Sequence, residues 1–155
     1  MRAAPRDCSV ALNTHDMATF AAFWQGRDIE VRATAGLLGP REARLEEEKR
    51  RRQKEALVTH LRRRGRLGRG AGARDIMAAF LELLAESDAG LLLVNLEDLW
   101  LEEQPQNVPG TGTELPNWRR KARESLEGLR QDAEAHAVLA RVAAARPAAK
   151  GPDEG

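Results

Sequence analysis

The sequence contains a single cysteine, no tyrosine, and only three tryptophans and three phenylalanines among 155 residues. Cys8 has no partner for an internal disulfide, a condition that suits a reducing cytoplasm. So few aromatics, set against 32% charged residues, leave a thin core even though 42% of the residues are hydrophobic. An excess of one charge is missing too. The 25 Lys and Arg nearly balance the 24 Asp and Glu, for a formal net charge of +1, so nothing global demands nucleic acid or an anionic membrane as partner. No apolar run approaches the ~18 residues of a membrane span. The opening MRAAPRDCSVALNTHD lacks the ~7–15-residue apolar stretch of a secretory signal. The expectation is a soluble, cytoplasmic chain with no membrane partner.

What is present reads as two short strands among helices. Ser9 to Asn13 (SVALN) is apolar and ends at Thr14-His15-Asp16, which predicts a buried strand. Phe20, Phe23 and Trp24 recur at helical spacing, Gly26 ends that turn, and Asp28 to Ala35 begins another short helix before Gly36 to Pro40 breaks the chain. Arg41 to Arg64 predicts a charged helix with an intermittent stripe of Leu45, Ala56, Leu57, His60 and Leu61. Its acids gather early and its bases late, which complements the helix dipole. Gly65 to Gly72 is a flexible basic connector.

Ala73 to Glu86 is the clearest amphipathic helix, with Ile76, Met77, Phe80, Leu83 and Leu84 on its expected buried face. Leu91 to Asn95 (LLLVN) is too short for a core helix and predicts a strand buried on both faces. Leu96 to Trp100 turns into a brief helix. A long loop runs on to Lys121, and Arg123 to Ala145 reads as one final helix with Leu126, Leu129, Ala133, Ala137, Leu139 and Ala140 on a weak apolar face. Residues 147–155 read as a disordered tail. Strands of this kind separated by helices signal a parallel α/β arrangement, here largely helical by content. A complete (β/α)8 barrel needs ~250 residues, so this chain could hold only about its last quarter.

Three features could carry chemistry. His15-Asp16 stands at the C-terminal end of a strand, where barrels place catalytic groups. A carboxylate there can stabilise an oxocarbenium charge while the imidazole donates to a sugar. The alternative is structural: Asp16 as a helix N-cap beside a half-buried His15. The loop Asn107 to Lys121 contains two prolines, two glycines, Trp118 and a cluster of cations. Its length argues against a casual linker. Within it, Val108-Pro109-Gly110-Thr111 reads as a rigid turn that brings backbone amides close to a ligand. The basic run Lys49 to Arg69 raises nucleic-acid binding, but glutamates interrupt it and no aromatic is available to stack bases, so a solvated helix face is preferred. His60 and His136 lie in separate helical segments, and no spacing suggests a metal site.

Three segments, ALNTHDMATFAAFWQGRDIEVR (Ala11 to Arg32), LLLVNLEDLW (Leu91 to Trp100) and NVPGT followed by PNWRRK (Asn107 to Lys121), together resemble the C-terminal end of 4-α-glucanotransferases, the amylomaltases or disproportionating enzymes of glycoside hydrolase family seventy-seven. The resemblance covers about residues 8 to 130. It implies a (β/α)8 barrel of which residues 1–130 supply the last two strands and their helices, with 40–72 as a variable charged helix and connector and 131–146 as a terminal helix. It further implies transfer of α-1,4-glucan segments, with maltodextrins as partners, by a retaining double displacement that needs no cofactor. On the same basis Asp16 is the transition-state stabiliser of the seventh strand and His15 is its sugar-contacting neighbour. Asn107 contributes to sugar binding after the eighth strand, and Trp118 anchors the loop.

The departures are as informative as the matches. The family's nucleophile and acid/base belong to upstream strands, and no Asp/Glu pair here sits at two suitable strand ends. Glu97 and Asp98 read as structural, and Ala18 replaces a proline common in the family's THD-x-P-T motif. The expectation is therefore a C-terminal fragment, from a truncated gene or an incomplete record, inactive alone and poorly stable because its strand edges are unpaired. The competing expectation is a non-enzymatic helical module that binds nucleic acid or an acidic partner through Lys49 to Arg69.

Overall fold

A computed structural model describes residues 5–146; the tail expected over 147–155 lies outside the described residues. Two three-residue strands, β1 (Ser9–Ala11) and β2 (Leu91–Leu93), pair in parallel with Val10 opposite Leu92. Between them run α1 (Phe20–Gln25), α2 (Arg27–Thr34), α3 (Pro40–Arg63) and α4 (Ala73–Ala85), and after them α5 (Leu96–Leu99), α6 (Leu126–Gln131) and α7 (Ala133–Ala145). The result is a mostly helical assembly on a small parallel sheet.

Local chemistry sets most helix ends. The Thr19 hydroxyl accepts from the Ala22 amide at 3.2 Å to start α1, and Gly26, at φ 83°, ends it in the left-handed region that only glycine enters freely. In α3 Pro40 occupies the first helical position, and the Glu42 carboxylate accepts the Gly39 amide at 2.8 Å. Arg50 is an unexpected inward residue of this charged helix. Its guanidinium forks onto Asp28 at 2.7 and 2.8 Å and lies 3.8 Å from the Phe23 ring centroid, which ties α3 to α2. Leu61 is fully buried, whereas Leu45, expected on the apolar stripe, is exposed.

α4 forms the centre of the core. It packs against α7 on one side and against α1, α3 and β1 on others. Burial therefore spreads beyond one face: Ala78, Ala79, Leu81 and Ala85 join Ile76, Met77 and Leu83, while Phe80 and Leu84 are only partly covered. Leu61, Leu99, Ala135, Val138 and Val142 close around it.

Two expectations are corrected here. β2 is not buried on both faces. Leu92 and Val94 pack on the core, but the alternate residues Leu91 and Leu93 are 55% and 50% exposed, because helices cover one side of the two-stranded sheet only. Nor is Arg123 to Ala145 a single helix. Asp132 interrupts it, accepting the amides of Glu134 and Ala135 at 3.0 Å each and restarting the chain as α7. The restart changes the helical phase, so Ala135, Val138 and Val142 face inward while Leu139 faces solvent; Leu126, before the break, is exposed as well.

Candidate functional site

Two residues past the end of each strand stands an asparagine, Asn13 after β1 and Asn95 after β2, and the two segments are stitched together by a buried polar network. The Asn13 side-chain amide donates to the Asp98 carboxylate at 3.2 and 2.9 Å. The Phe20 backbone N–H donates to the same carboxylate at 2.7 Å. Asn95 donates to the Asn13 side-chain oxygen and, at 3.3 Å, to its carbonyl. Burial pushes the Asp98 carboxyl above its ordinary value, against the pull of the bonds from Phe20 and Asn13. The Thr19 hydroxyl donates to the Glu102 carbonyl and fastens the same segment a second time. Residues 14–19 are thus pinned at their base, and Thr14 to Met17 closes as a turn through a 3.0 Å bond from the Met17 amide to the Thr14 carbonyl.

His15 and Asp16 project from that turn. Asp16 caps no helix and His15 is not half-buried, so the structural alternative for this pair fails on both counts: Thr19 is the cap, and the two side chains are 67% and 52% exposed. His15 Nε2 lies 3.3 Å from Asp16 Oδ2. Asn107 Nδ2 donates to Asp16 Oδ1 at 2.7 Å across a sequence separation of 91 residues. The three residues singled out in the sequence therefore meet at one surface point. A cleft of about 480 Å³ opens beside them, lined in part by Leu12, Met17, Phe20, Phe80 and Pro109.

The loop that delivers Asn107 is held by Asn117. Its side-chain oxygen accepts the Val108 amide at 3.1 Å, and its amide donates to the Thr111 hydroxyl at 2.8 Å. The Thr111 amide bonds to the Val108 carbonyl at 3.2 Å around Pro109 and Gly110, the latter at φ 85°, which is the pattern of a type II turn. The turn expected there is present, but the amides of Val108 and Thr111 are spent inside the loop and are not offered to a ligand. Further along, Arg120 pairs with Glu102 at 3.1 Å and donates to the Gln104 carbonyl at 2.7 Å. Partial burial raises the Glu102 carboxyl, but the bonds from the Gln104 amide, Arg120 and the Glu103 amide outweigh it and hold the group below its usual value.

Trp118 corrects a further expectation. It does not anchor the loop by burial, since it is 61% exposed. Its backbone sits at φ 59°, its N–H donates to the Gln106 carbonyl at 2.8 Å, and its indole lies tilted against the His15 ring with centroids 5.5 Å apart. The anchors are Asn117 and Arg120.

The residues that sequence reasoning missed are Asn13 and Asn95, which join Asp98 in positioning the site. A signal was present: both apolar runs, SVALN and LLLVN, finish on an asparagine. In the basic run, Arg50 is committed to Asp28, Lys54 to the Trp24 carbonyl, and Arg66 to Glu82 and Glu86. Among the described residues no cluster of three or more His, Cys, Asp or Glu side chains could hold a metal ion, and no helix is long and apolar enough to cross a membrane.

Most of the chain is similar to known proteins. The family model described as Glyco_hydro_77, 4-alpha-glucanotransferase, matches residues 1–127. The chain is 32% identical over 130 residues to a 4-alpha-glucanotransferase of Haemophilus influenzae, an alignment covering 79% of this chain and 19% of that one. It is 36% identical over 115 residues to a 4-alpha-glucanotransferase of Mycobacterium bovis, covering 72% and 16% respectively. The crystal structure of amylomaltase from Corynebacterium glutamicum superposes with a TM-score of 0.66 at 25% identity, covering 88% of this chain and 21% of that one. The chain thus spans about a fifth of the length of the proteins it matches. With the family model running through both strands and the loop that carries Asn107, the chain belongs to the 4-alpha-glucanotransferase family.

Proposed function

We propose that this chain is the C-terminal segment of a (β/α)8 glucanotransferase barrel, with β1 and β2 as its last two strands and His15, Asp16 and Asn107 as part of its α-1,4-glucan cleft. In this reading residues 1–130 belong to the barrel, 40–72 form an elaboration within it, and 131–146 are a terminal helical piece. The observation that carries it is the 2.7 Å bond from Asn107 to Asp16 beside His15. It joins two motifs, each at the C-terminal end of a strand or in the loop that follows, on the side where barrels work.

The chemistry follows from the charges. Cleavage of an α-1,4 bond by double displacement builds positive charge on the anomeric carbon. Asp16, exposed and fixed by the Asn107 amide, offers a carboxylate to that charge. His15 donates to a hydroxyl of the same sugar. Double displacement also needs a nucleophile and an acid/base, and Asp98 cannot be either one, because it is buried and already bonded to Asn13 and the Phe20 amide. The chain by itself is therefore inactive. A lone Cys8 without a disulfide partner fits a cytoplasmic setting.

The test is incubation of the purified chain with maltotriose, followed by chromatography of the products. The expected outcome is unchanged maltotriose. Glucose together with longer maltodextrins would overturn the reading of the isolated chain. Calorimetric titration with maltohexaose tests the cleft: Asp16→Asn and Asn107→Ala should each weaken binding, and undiminished affinity in both would remove these residues from it.

A further inference from the structure

The Trp118 indole is held in the open at a conformational cost that packing does not explain. A bulky residue at φ 59° is strained, and strained non-glycine positions persist only where their surroundings over-determine them. The surroundings here do so. The Trp118 N–H is tied to the Gln106 carbonyl at 2.8 Å, and Asn117 locks the preceding turn. Arg120, two residues on, is held by Glu102 and the Gln104 carbonyl. None of these bonds uses the indole, which remains 61% exposed, whereas Trp100 is 4% exposed and Trp24 is stacked on Phe20. The ring rests on His15, 5.5 Å between centroids, and His15 touches Asp16, which Asn107 holds. An aromatic face, an imidazole, a carboxylate and an amide therefore stand in sequence along one surface.

Such a row matches the two unlike surfaces of a pyranose. Its C–H face is apolar and suits an aromatic plane; its rim of hydroxyls suits His15, Asp16 and Asn107. Since those three polar groups already serve one ring, we propose that the Trp118 indole is a stacking platform for the neighbouring glucosyl unit of the same glucan. The inference rests on the glucan reading of Asp16 and Asn107. On this basis Trp118 favours oligosaccharides over glucose, because a single ring cannot occupy both places.

The experiment is a titration of the full chain, labelled with nitrogen-15, with maltohexaose and separately with glucose. The Trp118 indole N–H and the Asn107 side-chain amide are followed, the first assigned by its loss in Trp118→Phe. The Trp118 signal should shift saturably with maltohexaose and stay still with glucose. Trp118→Ala should weaken maltohexaose binding about tenfold, and Trp118→Phe should retain most of it. A shifting Asn107 amide with a stationary Trp118 indole and unchanged affinity in Trp118→Ala would overturn the platform and leave the cleft reading standing. A shifting indole with a stationary Asn107 amide would overturn the placement of the indole beside a ring held by Asn107 and would remove Asn107 from the cleft. Stationary signals from both would overturn both. The side chain carries little of the core, so dispersed methyl signals should be the same in all three proteins, and a collapse of that dispersion in Trp118→Ala would itself overturn the placement of the indole outside the core.

Discussion

Replacing Asp98 tests whether the polar network between the strand ends supports both the fold and the site. Asp98 is 2% exposed and accepts the Phe20 N–H at 2.7 Å and the Asn13 amide at 2.9 and 3.2 Å. Asp98→Ala orphans two buried donors. Each costs ~1–3 kcal/mol, and removal of a carboxylate that was itself costly to bury offsets part of the sum, leaving roughly 2–4 kcal/mol. Asp98→Asn is nearly the same shape but turns an amide toward the Asn13 amide. Flipping Asn13 only moves the clash onto Asn95, which needs the Asn13 oxygen. That variant should lose ~1–3 kcal/mol. In urea, with a slope of ~2 kcal/mol per molar, the alanine variant should melt roughly 1–2 M earlier, and the Phe20 amide should lose its protection from hydrogen exchange.

The pH dependence adds an independent test. The folded state raises the Asp98 carboxyl above its ordinary 3.8, so in the window between the two values it binds more protons than the unfolded chain. The contribution of this group is fully present below 3.8 and is lost as pH rises through the raised folded value. The advantage of the natural protein over Asp98→Asn should therefore widen as pH falls through that window. An unshifted urea midpoint in Asp98→Ala, or a gap that narrows in acid, would refute the reasoning.

Gly90→Ala places a Cβ 2.5 Å from the Arg6 carbonyl oxygen, a backbone atom that cannot move without disturbing the entry to β1. A loss of ~1–3 kcal/mol by thermal or urea melting is expected, as for other overpacked positions, and an unchanged melt would contradict the close approach. Asp28→Ala strands the buried Arg50 guanidinium, which has 10% of its side chain exposed. Breaking one side of such a pair costs ~3–5 kcal/mol, and the double variant Asp28→Ala, Arg50→Met should recover most of it. A double variant no more stable than Asp28→Ala alone would argue against the stranded charge as the cause.

Sequence alone made some of this legible and hid the rest for identifiable reasons. The C-terminal end of α1 could be read because Gly26 acts locally, whereas its cap is Thr19 and not the Asp16 that sequence offered, and the strands could be read because short apolar runs between turn residues have few other uses. Whether LLLVN is covered on one face or two depends on what lies across the sheet, which no periodicity records, and so Leu91 and Leu93 were misplaced. The break at Asp132 was hidden inside alanine-rich sequence of high helix propensity; only its side-chain bonds to two amides reveal it as a cap. The meeting of Asp16 and Asn107 is non-local, and here it was anticipated from family resemblance and not from spacing. Trp118 was expected from the resemblance to anchor the loop, but it stands exposed on a left-handed backbone.

The stitching of the two strand ends also has a kinetic side. The Asn13–Asp98 pairing closes a separation of 85 residues and the Asn107–Asp16 pairing one of 91, while α3 and α4 lie between them and form from local contacts. Helical turns form in about a microsecond or less, but closing so long a loop must be repaid by contacts that exist only once the ends arrive. The pocket-forming residues are therefore among the last to find each other, and any change that slows docking of α4 delays the appearance of the surface shared by Asp16 and Asn107 without touching a residue in it.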